Sequence, residues 1–496
     1  MAQWNFVGGA YQAANPFQDD QASINWFVEA DPNEPNEKGA GEAKTVLALL
    51  GAPGLKALNS TFSGEYRGGW VLPGGITALV VIGRTVVLMG FTGYTNSVPS
   101  FTFTTVGTMA STSGRVNIRD NGAGKIAVLV DGSTNLYVYN VGTGAFKIFT
   151  DPAYLGATNV AEFDGWFFFN QPGTQKFYSS PNYWDGSSPF DPTYFALKDN
   201  APDNLVTLIE TNRELWLVGE ATTEPWYNAG EPTFPLSRVE GAMQQIGCAA
   251  AQSIARVGKG LVWLARSERG DNSVILTQGY TYNVISTPAV SWALNQYQTV
   301  SDAIGYIYTE EGHEFYVLIF PSADTTWVYD FTTGFWHQRA SFASGVFHRQ
   351  RINGVLDVSG VKVGGDFNNG KIYWQSRTLY ADDTQPLVSV RRAPHVWDKN
   401  DRTRVVHSSL QIEFRSGSGL ATGQGSDPQA MLRWKNENGA WGSEHWASIG
   451  KIGQTGRRTI WRRLGRARDR VYEVRVSDPV NRDVVGASLK AGTTNA

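Results

Sequence analysis

A single cysteine, Cys248, stands in a chain of 496 residues, so no disulfide can form within it and folding cannot depend on an oxidising compartment. Long apolar runs are missing too: none approaches the roughly 18 residues that a membrane-crossing helix needs. Met1 to Ala30 holds no basic segment followed by an apolar one, the pattern of a secretory leader. The expectation is a soluble protein made in the cytoplasm, with no membrane insertion by this chain. Scarce as well are the Ala/Leu/Glu/Lys stretches that build long helices. In their place stand 54 glycines and 17 tryptophans, a composition suited to short strands and tight turns in two or three domains.

Two stretches about 190 residues apart share one pattern. Val138-Tyr139-Asn140-Val141-Gly142-Thr143-Gly144-Ala145-Phe146 and Val328-Tyr329-Asp330-Phe331-Thr332-Thr333-Gly334-Phe335-Trp336 both run an alternating strand into Asn or Asp, then a short loop ending in Gly, then an aromatic. Asn or Asp bonds back to its own backbone, and Gly takes a positive φ without a Cβ penalty, so each reads as a hairpin with a type I turn and a left-handed glycine. A hairpin repeated at this distance implies repeated architecture, and in an all-β chain of this length a β-propeller explains it best.

The other hairpins fit. Thr77–Ile82 pairs with Val86–Phe91 across Gly83-Arg84, Val160–Phe163 with Trp166–Asn170 across Asp164-Gly165, and Ile304–Thr309 with Phe315–Phe320. Their irregular spacing of roughly 35 to 50 residues suits blades of three or four strands, six or seven in number. One helix is expected, capped by Thr287 and opened by Pro288. The division reads as an extended arm and linker over 1–62, a propeller over 63–386, and a smaller β-sandwich over 387–496. The last rests on strands at Val388–Val390, Ser408–Phe414, Ala430–Lys435, Thr459–Trp461 and Val471–Val476.

Charge separates these bodies. From Arg391 onward there are 19 Lys and Arg against 10 Asp and Glu, net +9, whereas the preceding residues hold 23 against 35, net −12. The densest basic segment carries Arg457, Arg458, Arg462, Arg463, Arg466, Arg468, Arg470 and Arg475. Arginine's fork suits both carboxylates and phosphates. Only Trp461 and Tyr472 interleave with these arginines, too few aromatics for a base-stacking strip. Docking onto acidic protein is therefore the preferred role for Arg457, Arg458, Arg462, Arg463, Arg466, Arg468 and Arg470. A solvated sheet face and direct DNA contact are the alternatives.

No chemistry-bearing constellation emerges. Gly39-Ala40-Gly41-Glu42-Ala43-Lys44-Thr45 lacks the glycine before lysine that a phosphate loop needs and reads as linker. His313 and His337 have no i,i+4 partner or Cys companion, so no metal site is expected, and Cys248 reads as a buried inert thiol. A glycan-hydrolysing propeller would need two facing carboxylates. Asp302, Asp330, Glu310 and Glu314 are present, but Ser322-Ala323-Asp324-Thr325-Thr326-Trp327 lacks the glycine of a sialidase-type box. The reading has no catalytic, cofactor or metal residues, with a glycan-binding or glycan-hydrolysing propeller as the alternative.

Several further motifs recur together: Asn25-Trp26-Phe27, Ala52-Pro53-Gly54-Leu55, Ile246-Gly247-Cys248-Ala249-Ala250, Ser286-Thr287-Pro288-Ala289, Gly312-His313-Glu314-Phe315-Tyr316, Trp336-His337-Gln338-Arg339 and Trp461-Arg462-Arg463-Leu464-Gly465-Arg466-Ala467-Arg468. In this order, over nearly the whole chain, they resemble the packaged-DNA stabilisation proteins, the tail hub or nozzle subunits of short-tailed bacteriophages. The resemblance implies a non-enzymatic virion component without cofactors: a homohexameric ring below the portal and its adaptor. Such a ring closes the channel after packaging, carries tail fibres or tailspikes outside and a plug or needle below, and passes genomic DNA without sequence-specific binding.

Overall fold

Alternating strands with one buried face must stack against other sheets, and this chain does so radially. In the computed structural model, residues 5–30, 47–59, 61–122, 125–231, 234–258, 260–398 and 402–493 are described. Seven sheets form a ring, which settles the blade number the sequence leaves at six or seven. Their innermost strands are Tyr66–Val71 (blade 1), Asn117–Asp120 (2), Val160–Phe163 (3), Leu205–Thr211 (4), Ala255–Val257 (5), Ile304–Glu310 (6) and Ile352–Val358 (7), the last lying beside the first. Each pair of neighbouring blades encloses its own apolar layer. Val128 and Val138 of blade 2 meet Phe167 and Phe169 of blade 3, and Val80 and Met89 of blade 1 meet Val361 and Ile372 of blade 7. Inner strands converge so tightly that a Cβ on Gly68 would lie 2.1 Å from the Val116 carbonyl oxygen.

Both repeated hairpins turn as their chemistry dictates. Gly144 and Gly334 have φ of 73° and 74°, and their N–H groups donate to the carbonyls of Asn140 and Asp330 at 2.8 Å. Asn140 Oδ1 accepts from Thr143 N, and Asp330 Oδ1 from Thr332 N. The one α-helix among the described residues, Pro288–Asn295, is capped by Thr287, whose hydroxyl accepts from Val290 N.

About half of the described residues in 1–62, the segment expected as an arm and linker, are in strands. Its Asp31–Lys38 stretch and the Gly39–Thr45 linker lie outside the described residues. What surrounds them is Tyr11–Gln12, Asp20–Ile24, Trp26–Ala30, Leu47–Gly51 and Gly54–Ala57. Gly54–Ala57 pairs with Ile372–Ser376 as the outer strand of blade 7, so the start of the chain completes the last blade. Asp20–Ile24 runs between the outer strand of blade 6, Trp336–Gln338, and the first sandwich strand, Ser389–Arg392. Blade 6 and one sandwich layer are thereby a single eleven-stranded sheet. The local sequence hides this role because Asp20–Ile24 and Gly54–Ala57 meet strands of blade 6, the sandwich and blade 7 that lie more than 300 residues away.

The other sandwich layer runs in the order Trp26–Ala30, Leu47–Gly51, Val484–Thr493, Val405–Phe414, Thr459–Arg462. Trp26, Leu49, Leu410, Ile412 and Trp461 from this layer pack on Leu432, Tyr472 and Val474 of the first. All five strands anticipated after residue 387 are present, joined by His445–Ser448 and Val484–Thr493, which the sequence reading did not assign.

Candidate functional site

The joint between propeller and sandwich is built from polar groups that a core would not tolerate unpaired. Asn25, 2 % exposed with φ 55°, donates through Nδ2 to the carbonyls of Ala340 and Val388, both at 2.8 Å, and accepts from Ala340 N through Oδ1 at 3.0 Å. The Arg391 guanidinium donates to the carbonyls of Phe6, Gly9 and Ala22 and to Gln21 Oε1, while Arg482 donates to the carbonyls of Leu387 and Ala52. His313 lies between Asp330 at 2.8 Å and Glu29 at 2.7 Å, linking the blade 6 hairpin to strand Trp26–Ala30. Burial opposes its protonation, but the two carboxylates prevail and raise its pKa.

Around the sandwich, cations sort into two groups. Glu473 is approached by Arg392, Arg433 and Arg475, and Asp20 by Arg392 and Lys435; Arg392, Arg433 and Lys435 also surround the Trp441 ring. By contrast, Arg457, Arg458, Arg462, Arg463, Arg466 and Arg468 are all exposed, and none forms an ion pair with a described carboxylate. They flank the outermost strand, Thr459–Arg462, and the short bridge Arg466–Ala467, both paired with Val405–Phe414.

Arg470 does not belong with these six, which corrects its assignment as a docking residue. It is 2 % exposed and donates to Leu464 O at 2.5 Å, Asn436 Oδ1 at 2.8 Å and Tyr472 Oη at 3.2 Å, beneath the Trp434 ring. A signal was available in the sequence: Arg470 is in phase with Tyr472, Val474 and Val476 along Asp469–Val476, and these face the core.

The four candidate carboxylates are not a catalytic pair. Asp302 precedes the inner strand of blade 6 and accepts from Ser322 N, about 25 Å from Glu310 and Glu314 at the rise of a strand; these two leave opposite faces of the sheet, since Glu310 is paired with His313 and Glu314 with Thr309. Asp330 is buried and occupied by His313, Thr332 N and Thr333 Oγ1. The central cavity of the propeller, about 620 Å³, carries charge of both signs: Arg119 lies over Trp70, Arg256 pairs with Glu210, and burial pushes the Glu162 carboxyl up. No group of His, Cys, Asp and Glu among the described residues has the arrangement of a metal site. Cys248 is buried, its thiol donating to Ala250 O, and burial pushes its pKa up to about 11.

A seven-bladed propeller welded to a basic sandwich, with its polar groups spent on the joint and its free charge on an outer edge, has the build of a structural assembly protein. Profiles of two families match in succession, described as bacteriophage P22 Gp10, beta-propeller, over residues 42–378 and bacteriophage P22 Gp10, beta-sandwich, over residues 391–492. The chain belongs to this Gp10 family, the tail hub or nozzle proteins of short-tailed phages. No curated protein matches it in sequence. Among solved structures, the Neurospora crassa Pan2 WD40 domain is similar at 8 % identity and a TM-score of 0.40, over 63 % of this chain and 89 % of that one.

Proposed function

We propose that this chain is the subunit of a ring below the portal and adaptor of a short-tailed phage, a homohexamer that helps retain packaged DNA. The same ring serves as the platform for fibres or spikes and for a plug or needle. It acts as a structural part of the virion, without catalysis, assembled in the host cytoplasm. One observation supports this beyond family membership: the eleven-stranded sheet makes propeller and sandwich one continuous body. Linker-joined domains swing by default, whereas a shared sheet transmits load through backbone hydrogen bonds. A channel part that withstands the pressure of packaged DNA needs that rigidity. The unpaired arginine edge supplies docking surface, since charge outside the fold's own ion pairs is free for a partner. Electron microscopy of the purified protein tests the reading: rings with a central hole are expected, and particles that stay monomeric at every concentration would refute it.

A further inference from the structure

The two charged regions lie at opposite ends of the molecule. Propeller and sandwich join at blades 6 and 7, through Asp20–Ile24 and through the passage from Leu47–Gly51 into Gly54–Ala57. In a ring of seven, the blade diametrically opposite that join is blade 3, with blade 4 beside it. Acid is concentrated there. Residues 181–250, the outer part of blade 3 with blade 4 and its exit, hold 10 Asp and Glu against 3 Lys and Arg, or −7 of the propeller side's −12. Of those three bases, Lys198 is buried on Asp203 and Arg238 pairs with Asp199, leaving Arg213 near Asp164. Asp185, Asp191, Glu231 and Glu240 are exposed in the outer loops of these blades, Glu240 beside Arg238, whereas Glu220, also exposed, lies nearer the axis with its N–H on the Asn204 carbonyl.

The arginine edge is equally remote from the join. Trp26–Ala30 lies against blade 6, where the Phe27 ring packs edge-on to Phe315 at 5.1 Å. Thr459–Arg462 is four strands further along the same layer, about 19 Å at the usual strand spacing. Within one chain, therefore, the sandwich and the full width of the propeller separate the arginines from the acids.

We infer that the arginine edge of one copy docks on the outer rim of blades 3 and 4 of the next copy. The occupant is a second copy because the complementary charge is on this chain and cannot be reached within it. Such a contact joins two different surfaces, so it propagates head to tail and ends only when the rotation closes a ring. Six arginines against four acids, each pair individually weak in water, act together as a steering and register-setting patch.

This inference rests on the ring reading, and particle mass in solution with electron microscopy separates the two. Four samples are compared at about 0.05 M and about 0.5 M salt. They are the natural protein; an edge variant with Arg462→Glu, Arg463→Glu, Arg466→Glu and Arg468→Glu; a rim variant with Asp191→Lys, Glu231→Lys and Glu240→Lys; and an equal mixture of the two variants. Each variant alone should stay monomeric at low salt with an unshifted melting temperature, assembling roughly tenfold or more weakly. In the mixture the acidic edge of one variant meets the basic rim of the other and the reverse, so alternating rings should form. A rim variant that assembles like the natural protein while the edge variant does not would overturn this contact and leave the ring reading standing. Normal assembly of both variants would do the same. Natural protein that never forms rings would overturn both.

Discussion

Asn25 and Ala340 exchange two hydrogen bonds as neighbouring strand residues would, except that Asn25 does so with its side chain: Nδ2 donates to Ala340 O at 2.8 Å and Oδ1 accepts from Ala340 N at 3.0 Å. The backbone of Asn25 is thereby free to accept from Ala52 N and Ser389 Oγ and to donate to Gln338 O. One residue thus holds blade 6, the sandwich and the entry to blade 7 together. Its left-handed φ is one that asparagine tolerates better than other non-glycine residues.

Asn25→Asp keeps the shape but removes the two Nδ2 donors and sets a carboxylate against the Ala340 and Val388 carbonyls. A loss of about 3 kcal/mol in urea unfolding is expected. An unchanged unfolding midpoint would show that the joint does not depend on this amide.

Gly334→Val places a β-branched residue at φ 74°, with no steric neighbour closer than the Tyr329 hydroxyl at 3.9 Å. Backbone strain alone should therefore cost about 1 to 3 kcal/mol. Thermal melting checks this, and Gly334→Asn, which suits the left-handed region, should recover most of the loss.

Arg470 and Arg466 separate structural from surface arginine. Arg470→Met leaves Leu464 O and Asn436 Oδ1 without their donor and should destabilise by about 2 to 4 kcal/mol, whereas Arg466→Met should fall within about 0.5 kcal/mol of the natural protein. Equal effects in denaturant titrations would contradict the division.

Acid should unfold the protein partly through His337 and His407, both buried. Burial, then the nearby Arg339, depresses the pKa of His337 to about 3; burial and Arg470 depress that of His407 to about 4. The folded pKa lies below the unfolded value of about 6.5, so the stability is fully present above that value. It is lost as the pH falls toward the folded pKa, because only the unfolded chain then takes up the proton. His407→Phe should reduce the fall in stability between pH 7 and pH 4 by on the order of 3 kcal/mol. His313 has the opposite sign: its raised pKa gives stability that is full below about 6.5 and is lost as pH rises through the folded value. His313→Gln should accordingly cost more at pH 5.5 than at pH 8.5.

Incubation with host surface polysaccharide should release no reducing sugar, because Asp302 is about 25 Å from Glu310 along its strand and Asp330 is fully engaged. Release abolished by Asp302→Asn would overturn this.

Local chemistry made much of the fold readable. Asp164-Gly165 closes its hairpin with φ of 49° and 84°, Thr287 caps the only α-helix among the described residues, and Gly144 and Gly334 turn left-handed, because each depends on groups within a few residues. Alternation likewise marks the strands, since burial of one face imposes period two. Tertiary structure alone decided which edges meet. A strand's free backbone groups accept any strand of suitable register, so nothing within Gly54–Ala57 identifies Ile372–Ser376 as its partner, and nothing within Asp20–Ile24 announces a bridge between two bodies. The seventh blade and the shared sheet follow from those pairings. The arginine segment divides for the same reason: its charge is written in the sequence, but whether a guanidinium meets Leu464 O or open solvent depends on the sheet that forms around it.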